Sequence, residues 1–393
     1  MFRKISADKI YPVTAAPIEN GVVVVDSAGK IVSLDRAEQH DAAELEKYSG
    51  VIVPGFINAH CHLELSHLKG VAQTGTGLID FISQVISNRN HAQEIIRDAI
   101  AREAQYMLEN GIVAVGDISN TADTFLQKQQ EQLHYYTFVE YFDMFQTDRT
   151  VATMAQYDAV FHQLQETTKN KISRVPHAPY SVSRGLFQQL CDTQQGKTIS
   201  IHNQETPPEN ELFQTKTGDF ISFYERIGFE TKDIPLLHQS SIHYALEYLN
   251  SKNRTLFVHN TLTQKQDIAA AHDTLGKEQV FWATCPNANL YIENNLPYYR
   301  HFLDMEATVC IGTDSLTSNW QLNILEEIKT ILKYQSYLDF ETVLAWATIN
   351  GAKALGFDAT LGSIEAGKSP GLVLIENMEN GKLTHASGSK RII

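Results

Sequence analysis

No stretch of the sequence approaches the ~18 consecutive apolar residues of a membrane-spanning helix, so nothing in it reads as an integral membrane segment. Nor is there a basic run of five or more residues, and with a formal net charge of -14 the chain is a poor electrostatic partner for nucleic acid or an anionic membrane surface. The four cysteines, Cys61, Cys191, Cys285 and Cys310, lie far apart with no C-x-x-C spacing, which excludes an evident disulfide framework and fits reduced, buried thiols. Met1 to Lys9 is basic but lacks a following apolar core and small-residue cleavage site, so the expected compartment is the cytoplasm. Internal repeats and low-complexity blocks are also missing. The glutamine-rich Gln127 to Gln132 is short and reads as a solvated helix face.

What is present is globular: 393 residues, 43% hydrophobic and 20% charged, enough for one large core and an accessory unit. Short β-type runs at Lys9 to Val13, Gly21 to Asp26 and Lys30 to Leu34 are broken by turn-formers. Near the other end, Pro370 to Glu376 and Lys382 to His385 flank Asn380-Gly381. These ends predict one discontinuous β-domain. Between them, apolar runs alternate with helix-like stretches such as His91 to Glu109, Val151 to Thr167 and Ile324 to Tyr337. The runs are Val51 to Asn58, Gly111 to Ile118, Tyr135 to Phe142, Ile172 to His177, Thr198 to His202, Thr255 to His259, Val280 to Thr284 and Thr308 to Ile311. The expected fold class is α/β: a (β/α)8 TIM-like barrel over 53–354, with a small β-sandwich domain formed by 1–52 and 355–393. The long connection from Thr206 to Leu237 reads equally as a pocket-shaping loop or a surface insertion.

The carboxyl ends of these strands carry His60 and His62, His202, His259 and, just past the last, Asp314. In such barrels the strand ends share one mouth, so distant residues meet there, and imidazoles with a carboxylate suit zinc or a related divalent ion. Period-two alternation aims His60 and His62 to one side and Cys61 to the other, where packing is expected of it. Taken singly, each residue has an ordinary reading: His202 or His259 as a hydrogen-bonded core histidine, Asp314 as a cap. Joint placement is what points to a metal. Glu205, three residues beyond His202, lies within reach of a bound substrate as an acid distinct from the group activating water.

Quoted in order, G-F-I-N-A-H-C-H-L-E-L at Gly55 to Leu65, H-A-P-Y-S at His177 to Ser181, H-N-Q-E at His202 to Glu205, H-N at His259, C-P-N-A-N at Cys285 to Asn289 and I-G-T-D-S-L-T-S-N at Ile311 to Asn319 resemble the amidohydrolase superfamily. Within it they are most similar to the nucleoside-deaminase and chlorohydrolase branch. The flanking Gly-Lys-Ile-Val near Gly29 and L-G-S-I-E-A-G-K near Leu361 match too, whereas Pro370-Gly371 stands where relatives carry Ala-Asp.

The resemblance implies one divalent ion, zinc by expectation with iron or manganese able to take the same ligands, held by His60, His62, His202 and Asp314. It implies Glu205 as proton shuttle, His259 as the residue orienting the attacking water, Asp314 as its base and His177 as a substrate contact. A proline-flanked His177, with no lysine where two-metal relatives have one, implies a mononuclear site. The sub-pattern His60 to Gly70 further resembles aminodeoxyfutalosine deaminases of the alternative menaquinone pathway, whose substrate joins an adenine nucleoside to a benzoate. A cation should then meet that carboxylate, with Lys69, Arg89 and Arg149 as candidates and Glu64 and His67 as nearby loop residues. Deamination of another purine or pyrimidine, dechlorination of a triazine-type ring, and a metal-binding barrel without turnover are the alternatives. The expected partner is a small molecule, and a homodimer is the base-rate oligomer.

Overall fold

The computed structural model describes residues 2–166 and 170–393. Both termini enter one six-stranded sheet, built from β1 (Arg3–Ile10), β2 (Ile18–Val25), β3 (Ile31–Arg36), β4 (Glu46–Pro54), and, from the far end of the chain, β13 (Leu372–Glu376) and β14 (Gly388–Arg391). Its order is β14-β13-β4-β1-β2-β3, with β1 and β4 parallel and the other neighbours antiparallel. Largely β-branched residues supply a small separate core that includes Ile5, Ile10, Val23, Val25, Ile31 and Ile52, with Leu374. The union of the two ends is as expected, but they form a single sheet where two facing sheets were anticipated. Lys382 to His385 is turn rather than strand, and the last strand comes later, at β14.

The intervening strands are β5 (Phe56–Cys61), β6 (Ile112–Ser119), β7 (His134–Tyr141), β8 (Lys171–Pro176), β9 (Thr198–Asn203), β10 (Arg254–His259), β11 (Val280–Thr284) and β12 (Thr308–Ile311). They pair in chain order as two parallel sheets, β5-β6-β7-β8 and β9-β10-β11-β12. β5, β6, β9 and β11 are buried at every residue, because helices cover one face and the neighbouring sheet the other. Hydrogen bonds stitch the edges where the sheets meet: His202 N to His177 O at 2.9 Å on one side, and Thr313 N and Asp314 N to His60 O at 3.0 and 3.1 Å on the other.

The single run expected over Val51 to Asn58 is two strands, β4 and β5, divided at Gly55. A side chain there would lie 2.3 Å from Val113 Cγ1 and 2.5 Å from the Pro370 carbonyl, so only glycine lets the chain pass between the two units. The helices fall where the periodicity put them, at Gln93–Glu109, Thr150–Gln165 and Ile324–Tyr334; Thr167, the expected end of the second, lies outside the described residues. No helix among the described residues is long and apolar enough to cross a membrane.

Candidate active site

The carboxyl ends of β5 to β12 bring His60, His62, His202, His259 and Asp314 together. Ring centroids of His60 lie 4.9 Å from those of His62 and His202 and 5.8 Å from that of His259. Candidate ligand atoms of His60, His202, His259 and Asp314 all lie within 4.8 Å of one another. Asp314 Oδ1 is 3.5 Å from Nε2 of both His60 and His62, and His62 Nε2 is 3.3 Å from His202 Nε2.

Several contacts fix these groups from behind. His202 Nδ1 sits 2.9 Å from the His177 carbonyl, which can only accept, so the proton is on Nδ1 and Nε2 turns its lone pair to the cluster. His259 Nδ1 is 2.9 Å from Asn289 Oδ1, and Ser318 Oγ donates to Asp314 Oδ2 at 2.5 Å. His259 and Asp314 hold positive φ angles of 72° and 57°, a left-handed geometry that costs about 1–3 kcal/mol per residue and gathers where a site needs it.

The cluster fits a divalent cation. His60 is fully buried with neither ring nitrogen hydrogen bonded, a debt that a metal among these nitrogens would settle. Burial, foremost, keeps the neighbouring rings neutral as ligands must be: His62 is lowered to about 3 and His259 to about 4. Burial would raise the Asp314 carboxyl, but contact with His60 and the rings of His62 and His259 outweighs it and holds the group well below the usual range. Gly312, between β12 and Asp314, permits this closeness, since an added Cβ would lie 2.8 Å from His60 Cβ and 2.9 Å from its nitrogen. Gly312→Ala is therefore expected to cost about 1–3 kcal/mol by overpacking. An unchanged unfolding midpoint in a denaturant titration would contradict that.

Glu205 lies beside this cluster, its Oε2 3.7 Å from His259 Nε2. Burial, and then the charge of Asp314, push its carboxyl well above the ordinary range, which favours its protonated form. The loop carrying it is tied down by Glu209, whose buried carboxylate accepts from Gln204 N and Glu205 N, both at 2.9 Å, and from Ser241 Oγ at 2.6 Å. Glu209 escaped the sequence reading, although it follows Glu205 by one helical turn. Glu140, at the end of β7 and 3.3 Å from His202 Nδ1, was also missed; the strand-end rule that found the histidines would have found it.

These groups share a cavity of about 350 Å³ lined by His62, His177, His202, Glu205, His259 and Asp314. A larger groove of about 1150 Å³, between helix Ile324–Tyr334 and residues 380–385, contains none of these histidines. His177 lines the cavity, its Nδ1 2.7 Å from Ser181 Oγ. Of the three candidate cations only Arg89 reaches the wall, whereas Lys69 and Arg149 are exposed and lie away from it. Lys69 is thereby corrected as a substrate contact: it follows the turn after 63–68, on the solvent side. Glu64 is buried and does not line the cavity either, because its carboxylate is taken up by Asn120 and Thr121. The connection after Thr206 does shape the pocket, through Phe223 and Tyr224 of helix Asp219–Arg226.

Comparison with known proteins agrees with this geometry. The amidohydrolase family profile matches residues 51–391, and the chain belongs to that family. It is accordingly a metal-dependent hydrolase acting on carbon–nitrogen bonds other than peptide bonds. An adenosine deaminase of Helicobacter pylori is 27% identical over 332 residues, covering 81% of this chain and 77% of its own length. An aminodeoxyfutalosine deaminase of Nitratiruptor is 26% identical over 383 residues, covering 91% and 88%. Among solved structures, Helicobacter pylori aminofutalosine deaminase in complex with methylthio-coformycin superposes with a TM-score of 0.84 at 25% identity over 100% of both chains.

Proposed function

We propose that the chain is a deaminase of adenine nucleosides, with aminodeoxyfutalosine its substrate, built on a closed (β/α)8 barrel over 53–354 that the terminal β unit, 1–52 and 355–393, flanks. The in-order pairing of β5 to β12 and the hydrogen bonds at both seams support the barrel. The observation that carries the reaction is the buried Glu205, its carboxyl raised well above the ordinary range, set against a cluster of imidazoles and one carboxylate in a single cavity.

His60, His202 and Asp314, with His62 joining them through its Nε2 3.5 Å from Asp314 Oδ1 and 3.3 Å from His202 Nε2, would hold one divalent ion, zinc by preference for such ligands. When bound, that ion supplies a water whose pKa is lowered from about 16 toward about 7. Asp314, its outer oxygen fixed by Ser318, takes the proton of the attacking water. His259, held through Asn289, orients that water. Glu205 donates its proton to the ring nitrogen beside the amino-bearing carbon, and a second transfer lets ammonia leave. His177 contributes a neutral ring to the base, its carboxyl-side neighbours fixing it through Ser181.

The proposed ligand His62, lowered to about 3, and His202, held well below the ordinary imidazole range by burial, do not compete for protons until the pH falls well below that range. The metal is therefore expected to stay bound at about pH 5.5 and to leave as the pH nears about 3, read as metal content after equilibrium dialysis. Release above about pH 6 would contradict neutral, buried ligands. The function itself is tested by ammonia release from aminodeoxyfutalosine, adenosine, S-adenosylhomocysteine, guanine and cytosine. Turnover concentrated on aminodeoxyfutalosine is the expected result. Turnover confined to the free bases would overturn the nucleoside reading, and silence on every compound the deaminase reading.

A further inference from the structure

Two of the motifs that meet at the histidine cluster are joined behind it by one side chain that does not line the cavity. Glu327, in the first turn of helix Ile324–Tyr334, is fully buried. Its Oε1 accepts from Asn287 Nδ2 at 3.0 Å and from Asn319 Nδ2 at 2.8 Å, and its Oε2 accepts from Asn287 N at 2.9 Å. Asn287 belongs to the motif from Cys285 to Asn289, and Asn319 closes the one from Ile311. A third segment of the chain therefore grips both.

Each arm of this grip leads to a working group. Asn319 Nδ2 also donates to the Thr313 carbonyl at 2.8 Å, while Asp314 N donates to the His60 carbonyl at 3.1 Å. The planar peptide between Thr313 and Asp314 is thus held at its oxygen and at its N–H, which fixes the direction from which Asp314 departs with its positive φ of 57°. On the other arm, Asn287 N is one of the amides left without an intrahelical partner at the start of helix Pro286–Glu293, where Cys285 gives no side-chain cap among the described residues. A carboxylate at that end satisfies the amide and suits the helix dipole. Further along the same helix, Asn289 Oδ1 meets His259 Nδ1 at 2.9 Å.

The position calls for a carboxyl group. Its donors among the described residues need acceptors at both oxygens. An amide there would turn its NH2 either on Asn287 N or on the two asparagine side chains. Asn319 has no oxygen to spare for it, because that oxygen takes Trp320 N at 2.8 Å. Burial, foremost, raises the Glu327 carboxyl to about 8; the bonds from Asn287 and Asn319 oppose the rise, and the charge of Asp314 adds to it.

We infer that Glu327 is a positioning residue for the proposed chemistry: from outside the cavity it sets the peptide that presents Asp314 and the helix that presents Asn289 to His259. Carboxylate and water-orienting ring thereby keep one mutual arrangement. The inference rests on the proposed metal site and extends it to a residue that touches neither metal nor substrate.

The experiment compares Glu327→Gln and Asn319→Ala with the unmodified protein. Zinc affinity is read by competition with a chelator, ligand geometry by the visible absorption of the cobalt(II)-substituted protein, folding by denaturant titration, and turnover by ammonia release from aminodeoxyfutalosine and adenosine. In both variants zinc affinity is expected to fall by about 10- to 100-fold, the usual effect of losing a partner behind a ligand, and the cobalt spectrum to change. The loss of turnover should lie in kcat, with KM within about threefold, because the substrate's own contacts are untouched. Folded variants with zinc affinity within about twofold of the unmodified protein and an unchanged cobalt spectrum would make Glu327 an ordinary core residue, whatever they lose in stability, and overturn the inference. A rise in KM with kcat unchanged would overturn it too. Should Glu327→Gln fail to fold, Asn319→Ala decides by the same readings. An unmodified protein that binds neither metal defeats the metal site and this inference together. One that binds both but releases no ammonia defeats the deaminase reading alone, and affinity and spectrum still decide the role of Glu327.

Discussion

Glu205→Gln should keep its fold and its metal and lose turnover by about 10²- to 10⁴-fold, the usual contribution of a placed general acid. Gln is a close match to the resting side chain. Burial and the charge of Asp314 favour the protonated form of Glu205, and a neutral amide replaces a neutral acid of the same size. None of the four proposed ligands is altered, so metal content should be unchanged. The same reasoning sets the pH dependence of the unmodified protein. A carboxyl whose pKa is raised keeps its proton to higher pH than a free one and loses it as pH rises further, so kcat/KM should decline toward the alkaline side. Near-normal ammonia release by a metal-replete Glu205→Gln would remove Glu205 from the chemistry.

Asp314→Asn should be more severe, with kcat/KM reduced by at least about 10³-fold, because one substitution would remove both the proposed ligand charge and the proposed base for water. Asparagine tolerates the left-handed backbone that Asp314 adopts, at φ 57°, so the loop should survive the change. It also keeps an oxygen for Ser318. The informative readouts are metal content and turnover measured together. Loss of activity with weaker metal binding fits the assigned role, while full activity would place the base elsewhere.

The strand ends were readable because β5, β9, β10 and β12 are short, β-prone runs rich in apolar residues, each followed by polar residues that mark its end. Once those ends were located, His60, His62, His202, His259 and Asp314 needed only the convergence that a parallel sheet of βα units imposes. What stayed hidden depends on contacts between segments far apart in the chain. Glu209 grips the backbone of Gln204 and Glu205 and also Ser241, 32 residues away, and no local pattern marks a side chain that bonds main-chain amides. Arg89 and Lys69 look alike in sequence, as single cations near the His60 motif. Helix Leu78–Asn88 carries one to the cavity and the turn after 63–68 leaves the other in solvent. The break at Gly55 was missed because Val51 to Val53 and Phe56 to Ile57 are apolar on both sides of Pro54-Gly55 and read as one run; the crowding by Val113 and the Pro370 carbonyl that demands glycine comes from segments far away in the chain.

The most direct test of the account is a metal titration of chelator-stripped protein with zinc, following ammonia release from aminodeoxyfutalosine. Activity is expected to rise linearly and stop at one equivalent per chain, as a single centre of His60, His62, His202 and Asp314 requires. A break at two equivalents would contradict the mononuclear site, and full activity without added metal would contradict the mechanism itself.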